Sequence, residues 1–388
     1  MFADRANWDL RPNRLSKALA AHRAAAKTLL DLTVSNPTEC GFGYEEDEIR
    51  RALASPSVLR YQPDPRGMRA ARMAVANYYS DRETPVQIQD IFLTTSTSEA
   101  YSFAFRVLCN QADEVLIPAP SYPLFDYLAD IHDVKVRRYP LLYDHGWQID
   151  FHALEKLIDA RTRAVIVVNP NNPTGHFTKT QEAAELNEMC VTHDMALIVD
   201  EVFLDFALEN NEARRSLATN SRALTFTASG LSKISGLPQM KAAWLVVNGP
   251  LELKAQALAR LEVIADTYLS MNAPVQSAMP TFLKQRHKFQ QQVMERVREN
   301  LTELDHQLAS QHACTRLKIE GGWYAVIRLP ATCDDEEFTV SLLNSQNVYG
   351  HPGHFYDFLS KGYVVLSLIT PKRVFADGLT ALLIHANR

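Results

Sequence analysis

Cysteine is scarce: five residues in 388, odd in number and scattered as Cys40, Cys109, Cys190, Cys314 and Cys333. None forms a CxxC pair, so neither a disulfide framework nor a metal site is indicated, and all five read as small core hydrophobes. No run of 18 apolar residues occurs, so no membrane-spanning helix is expected. Met1 to Leu15 alternates charged and apolar residues without the apolar centre of a signal peptide, which points to the cytoplasm. Charge of one sign is lacking too. Forty basic against 45 acidic side chains leave a net −5, and the basic face of a nucleic-acid binder is not expected. No internal repeat, low-complexity tract or helix-turn-helix ahead of residue 30 suggests an array or a DNA-reading regulator.

What remains is a globular composition, 46% apolar and 22% charged, long enough for two domains or for one large domain with an appended part. Arg11 to Leu30 reads as a basic amphipathic helix leading to a short strand and a polar turn at Ser35-Asn36-Pro37-Thr38. Met68 to Tyr79 has helical spacing. Seven short apolar runs then predict strands at Ile91–Thr95, Glu114–Ile117, Lys135–Tyr139, Ala164–Val168, Ala196–Val199, Leu224–Ala228 and Ala243–Val247, most of them separated by helical segments. Continuously apolar strands are covered on both faces. The expectation is therefore an α/β large domain with a mainly parallel seven-stranded sheet flanked by helices. Leu251 to Leu269 and Val275 to Leu308 read as helices, and strands at Trp323–Leu329 and Tyr363–Ile369 belong to a smaller α+β domain. The domains expected are 46–270, and 1–45 with 271–388.

In an open parallel sheet, ligands gather beyond the carboxyl ends of the strands. Those ends supply Thr95-Ser96-Thr97-Ser98, Pro118 to Pro123 with Tyr122, Asn169 to Gly175 with Asn172, Asp200-Glu201, and Ser229-Gly230-Leu231-Ser232-Lys233. Singly, each has a plain structural explanation: the hydroxyls as a helix N-cap, Asn-Asn-Pro-Thr-Gly as a turn, Asp200 as a cap or ion-pair partner, Tyr122 as a surface ring, Lys233 as a solvated side chain. Together they meet one demand. A cofactor with a phosphate, a flat pyridine ring, a ring nitrogen, a phenolic oxygen and an aldehyde needs helix-terminal donors, a stacking ring, a carboxylate, an amide and an amine, and pyridoxal 5'-phosphate is such a cofactor.

The order of these pieces is similar to that in the class I and II aminotransferases, fold-type I pyridoxal-phosphate enzymes. The likeness runs through YQPDPRGMRAARMAVANYY (61–79), 94–104, DEVLIPAPSYPLF (113–125), VVNPNNPTG (167–175), IVDEVFLDF (198–206) and SGLSKISGLPQMKAAWL (229–245). Asp200 follows Asn172 by 28 positions and Lys233 follows Asp200 by 33. The resemblance implies an aminotransferase moving an amino group from an amino acid to a 2-oxo acid through a Schiff base on Lys233. The alternative is a lyase, decarboxylase or oxidase acting on an amino acid with the same cofactor. It further implies Asp200 on the pyridine nitrogen, Asn172 on the phenolic oxygen, Tyr122 stacked on the ring, the Thr97 and Ser98 amides and Lys241 at the phosphate, and Tyr61 reaching the neighbouring subunit's site in a homodimer.

Three positions depart from the family pattern. Phe203 stands where a tyrosine commonly supports the phenolic oxygen. Gly230 stands where many members carry a phosphate-binding serine or threonine, with Ser229 or Ser232 as possible replacements. Val365, in Gly362 to Leu368, stands where an arginine usually clamps the substrate carboxylate. Either another cation takes over, Arg328 first and Arg373 as alternate, or the substrate is not a simple α-amino acid. His351 and His354 occupy a substrate-entry segment, and Trp8 packs against the site or a dimer partner. Trp323, Tyr324, Phe355 and Tyr356 lean toward a neutral or apolar amino acid.

Overall fold

The computed structural model describes residues 1–209, 215–269, 271–330 and 334–387, without the side chain of residue 57. Cys333 lies outside the described residues. The helix Arg14–Ala24, capped by Asn13 accepting from the Ser16 amide, leads to the two-residue strand β1 (Leu30–Asp31). The large sheet follows: β2 (Ile91–Thr94), β3 (Glu114–Ala119), β4 (Lys135–Tyr143), β5 (Trp147–Ile149), β6 (Thr162–Val168), β7 (Ala196–Asp200), β8 (Thr225–Gly230) and β9 (Ala243–Asn248). Their order is β2-β9-β8-β7-β6-β3-β4-β5. From β8 through β4 the neighbours run parallel; β9 is antiparallel to β8 and β2, and β5 to β4.

The sheet thus has eight strands where seven are expected. The eighth, β5, is three residues long and forms a hairpin with the end of β4, Leu141 opposite Ile149. It is too short to show periodicity, and only Trp147 and Ile149 face inward. The other strands fall where their apolar runs place them, and all but β4, which is mostly half-buried or exposed, are buried almost throughout. One face packs on the helices Thr97–Leu108 and Leu251–Tyr268. The other packs on Arg69–Ser80, Phe151–Leu157 and Thr180–Thr192.

A second sheet is built from β10 (Thr315–Arg316), β11 (Tyr324–Arg328), β13 (His351–Pro352) and β14 (Tyr363–Ser367), in the order β10-β11-β14-β13 and antiparallel throughout. β12 (Val348–Tyr349) pairs parallel with β1 and ties the N-terminal segment to this lobe. The helix Ala273–Leu308 spans both cores: Val275, Met279 and Phe282 pack with the large sheet's cluster, Phe289, Val293 and Leu304 with the small sheet's. Among the described residues no helix is long and apolar enough to cross a membrane.

Candidate active site

Hydrogen-bonding in the large sheet brings the chemistry-bearing strand ends to one edge. Asp200 closes β7 opposite Ala228 of β8, and β8 ends at Gly230 opposite Ala243, which also pairs with Thr94 at the end of β2. Lys233 follows on the single-turn helix Leu231–Ile234. Three side chains from outside the sheet hold the exit of that turn: Gln290 donates to the Ile234 carbonyl (3.0 Å), Tyr44 to the Gly236 carbonyl (2.8 Å) and Ser235 to the Phe282 carbonyl (3.0 Å).

The electrostatics set the amine and the carboxylate against their surroundings. Burial pushes Lys233 down from 10.5 to about 8, with Asp200 and then Cys40 pulling it back. Burial lifts Asp200 from 3.8 to about 6, opposed by the Val202 amide, which donates to Oδ1 (3.1 Å), by the Tyr101 hydroxyl, which donates to Oδ2 (3.3 Å), and by the charge of Lys233. The Lys233 ammonium lies 4.9 Å from the Trp323 ring centroid and 5.7 Å from that of Phe203, a cation over aromatic faces. Phe203 meets Trp323 edge-on at 5.0 Å, so the departure at position 203 forms an apolar wall beside the amine.

Asn172 is buried in the loop after β6, and its Oδ1 has no hydrogen-bond partner. Tyr122 is 42% exposed, but its hydroxyl is desolvated and pushed up to about 12, with Tyr324 and Asp200 adding to the rise. Thr97 and Ser98 open the helix Thr97–Leu108. The cap itself is Ser96, whose Oγ accepts from the Glu99 amide (3.1 Å), while Glu99 accepts from the Thr95 amide (2.6 Å). The Thr97 and Ser98 amides, first in the helix, have no partner in its own ladder. Lys241 is exposed, in a left-handed conformation (φ 50°) just ahead of β9.

Gly230 is explained by its neighbour. A Cβ there would lie 2.8 Å from the Ala243 Cβ and 3.0 Å from the Ala242 carbonyl, so the β8–β9 ladder leaves no room for serine or threonine. Ser229 is buried and donates to the Glu201 carbonyl (3.3 Å), which leaves Ser232, half-buried, as the nearby hydroxyl not so engaged.

The structure does not bring Arg328, Arg373 or Tyr61 to Lys233. Trp323 and Tyr324 at the start of β11 meet the site; Arg328 is four residues on, roughly 13 Å along the strand. There it is exposed, its guanidinium 5.6 Å from the Tyr143 ring and 6.0 Å from that of Tyr363. Arg328, the residue expected to hold the carboxylate, thus sits at the opposite end of β11 from Trp323 and Tyr324. Arg373 is exposed beside Asp377 (3.6 Å). Val365 is buried between Val326 and His351 in an apolar cluster. Tyr61 is 81% exposed.

His351 contacts the Tyr356 hydroxyl (3.2 Å) and His354 pairs with Asp335 (3.7 Å). Trp8 donates to Asp130 (2.8 Å) and meets Tyr127 edge-on, on the helix just after Tyr122. Cys40, Cys190 and Cys314 are buried; Cys40 also belongs to the electrostatic surroundings of Lys233. Sequence reasoning missed Tyr101, Gln290 and Tyr44. Tyr101 reads as one more core aromatic on an apolar helix face, and the other two act through tertiary contacts that leave no local pattern.

The Escherichia coli K12 glutamate-pyruvate aminotransferase AlaA is 28% identical over 277 residues, 71% of this chain and 68% of that protein. Mouse tyrosine aminotransferase is 25% identical over 388 aligned residues, 94% of this chain and 85% of that one. An alanine aminotransferase from Pyrococcus furiosus superposes with a TM-score of 0.90 over 100% of both chains at 20% identity, a likeness of fold. The family profile "Aminotransferase class I and II" matches residues 7–372. The chain, an α/β protein with a half-buried carboxylate at one strand end and a lysine on the turn that follows the adjoining strand, belongs to the class I and II aminotransferase family.

Proposed function

We propose that this aminotransferase uses Lys233 as the amine that carries the cofactor and moves the proton at the substrate Cα. Family membership implies pyridoxal phosphate, and the residues present fit that group. Asp200 is a half-buried carboxylate whose desolvation lifts it to about 6, a state that a protonated ring nitrogen relieves. Asn172 brings a buried side-chain amide, whose N–H groups suit the phenolic oxygen. The Thr97 and Ser98 amides open a twelve-residue helix and suit a phosphate. When bound, the cofactor supplies the electron-withdrawing ring that takes up the electron pair released at Cα.

The chain's own groups supply the rest. Tyr101 and the Val202 amide orient the Asp200 carboxylate. Tyr122 covers one face, Asn172 approaches from the loop after β6, and Lys241 is the cation assigned to the phosphate. Lys233, with its pKa lowered to about 8, is in part neutral near pH 7.5 and able to accept a proton from Cα. Trp323 and Phe203 keep water from the amine. Each turnover has two halves: one amino acid leaves as its 2-oxo acid, and a second 2-oxo acid leaves as its amino acid. The working units are 46–270, which holds the cofactor, and 1–45 with 271–388, which closes the substrate side. The chain acts as a homodimer with Tyr61 at the partner's site, a role that its 81% exposure in the single chain supports.

The observation that carries this reading is Lys233 on the strand end next to Asp200. Borohydride reduction of the holoenzyme, followed by peptide mass mapping, is expected to fix the cofactor to Lys233. An amino acid added to the unreduced enzyme should yield one equivalent of oxo acid and no ammonia. A label elsewhere, or steady ammonia release, would replace this reading.

A further inference from the structure

The wall beside the Lys233 amine is apolar at Phe203 but also carries a neutral hydrogen-bond donor at Trp323. Trp323 is wholly buried, with its ring over Nζ, and its indole N–H makes no well-aligned hydrogen bond although the Tyr324 hydroxyl lies close to it. A buried N–H without a well-aligned acceptor is costly and rare, and it is most readily understood where a ligand supplies the acceptor. The next residue, Tyr324, places its hydroxyl against the Ser35 side chain and the Trp323 indole, and near Tyr122. Across the β11–β14 ladder, Ser367 is the direct partner of Tyr324, on the same face, and its buried hydroxyl also lacks a partner. The N-terminal segment is fixed here by the Ser367 amide donating to the Leu32 carbonyl (2.7 Å), which brings Ser35 into the group.

Three arginines of the same lobe already have partners. Arg328 lies at the far end of β11, Arg373 sits beside Asp377, and Arg296 donates to the carbonyls of Cys40, Ile369 and Thr370 while stacking on Phe42.

We propose that the Trp323 N–H and the Tyr324 hydroxyl, supported by Ser35 and Ser367, receive the α-carboxylate of the amino-acid substrate, so that neutral donors serve where Val365 replaces the expected arginine. This assignment rests on the reading of Lys233 as the amine that meets the substrate. Neutral donors hold a carboxylate without a bidentate ion pair, so affinity is modest and depends on each hydrogen bond separately.

The test uses Trp323→Phe and Tyr324→Phe, which keep the rings and remove one donor each, in the holoenzyme. Two probes separate binding from turnover: propionate, which carries a carboxylate and no amine, with propionamide as its neutral counterpart. Each variant is expected to weaken propionate binding about 10- to 100-fold, the range for one hydrogen bond to a charged group. Propionamide binding and cofactor affinity should change less than threefold. KM for L-alanine should rise in step, and Arg328→Ala should leave all of these values within twofold. Equal losses for propionate and propionamide, no loss in either variant, or a selective loss in Arg328→Ala would overturn the assignment. Because propionate binding needs no turnover, these results stay distinct from a failure to label Lys233.

Discussion

Gly230→Ser separates what the family pattern suggests from what this chain allows. Judged by resemblance, serine at this position adds a phosphate donor. On general grounds, replacing an extended glycine by a residue with a Cβ gains stability, about 0.4–1 kcal/mol, by restricting the unfolded chain. The backbone here is extended (φ −178°), so no conformational strain opposes the change. The obstacle is steric: the new Cβ would stand 2.8 Å from the Ala243 Cβ, 3.0 Å from the Ala242 carbonyl and 3.1 Å from the Ala243 Cα. Those are backbone and near-backbone atoms of a paired strand and cannot rotate away. Overpacking of this kind costs about 1–3 kcal/mol. At about 2.1 cal/mol/K per residue, a chain of 388 residues unfolds with an entropy near 0.8 kcal/mol/K, so the melting temperature should fall by about 1–4 °C. Calorimetry of the holoenzyme reads this directly, and Gly230→Ala should lose as much, since the Cβ alone causes the clash. Combining Gly230→Ser with Ala243→Gly removes the opposing Cβ, and the two changes should then cost less together than their sum. A Gly230→Ser protein as stable as the parent, or purely additive losses, would refute the steric account.

Two further outcomes follow from the site. Phe203→Tyr places a hydroxyl beside the amine and the assigned position of the phenolic oxygen; the absorbance pKa of the lysine-bound cofactor should fall by roughly one unit, about 1.4 kcal/mol, and an unchanged or raised value would count against that placement. In the cofactor-free chain, Asp200 binds its proton more tightly folded (about 6) than unfolded (3.8), so the folded state holds the extra proton between those values and stability falls as pH rises through that window, by up to about 3 kcal/mol. Melting temperatures from pH 4 to 6.5 should therefore decline less steeply in Asp200→Asn than in the parent.

The sequence made the large sheet readable because its strands are buried on both faces and so write their positions as apolar runs. Ala164–Val168 and Ala196–Val199 lie within strands found at Thr162–Val168 and Ala196–Asp200. Asp200, Asn172 and Lys233 were readable for a related reason: each sits within a few residues of a strand end, and strand ends converge. Longer-range matters left no such trace. β5 was too short to show a period. The place of Arg328 at the far end of β11 follows from strand direction, and the need for glycine at 230 arises from Ala243, thirteen positions away. Trp323 and Tyr324 were legible as apolar lining, but the indole N–H without a well-aligned acceptor and the approach of Ser35 depend on the pairing of β1 with β12.

The placement of Asp200 and Lys233 at the ends of adjacent parallel strands has an evolutionary corollary. Their separation is governed by the interstrand repeat of about 4.8 Å and by one helical turn, both anchored in a ladder that surface loops cannot stretch. The side chains proposed to hold the substrate carboxylate lie on or beside the small sheet and in the N-terminal segment, outside that ladder. The Lys233–Asp200 spacing is thereby insulated from change in the small lobe, so substitution at positions 35, 323, 324 and 367 is expected to alter how a carboxylate is held and not the placement of the amine against Asp200.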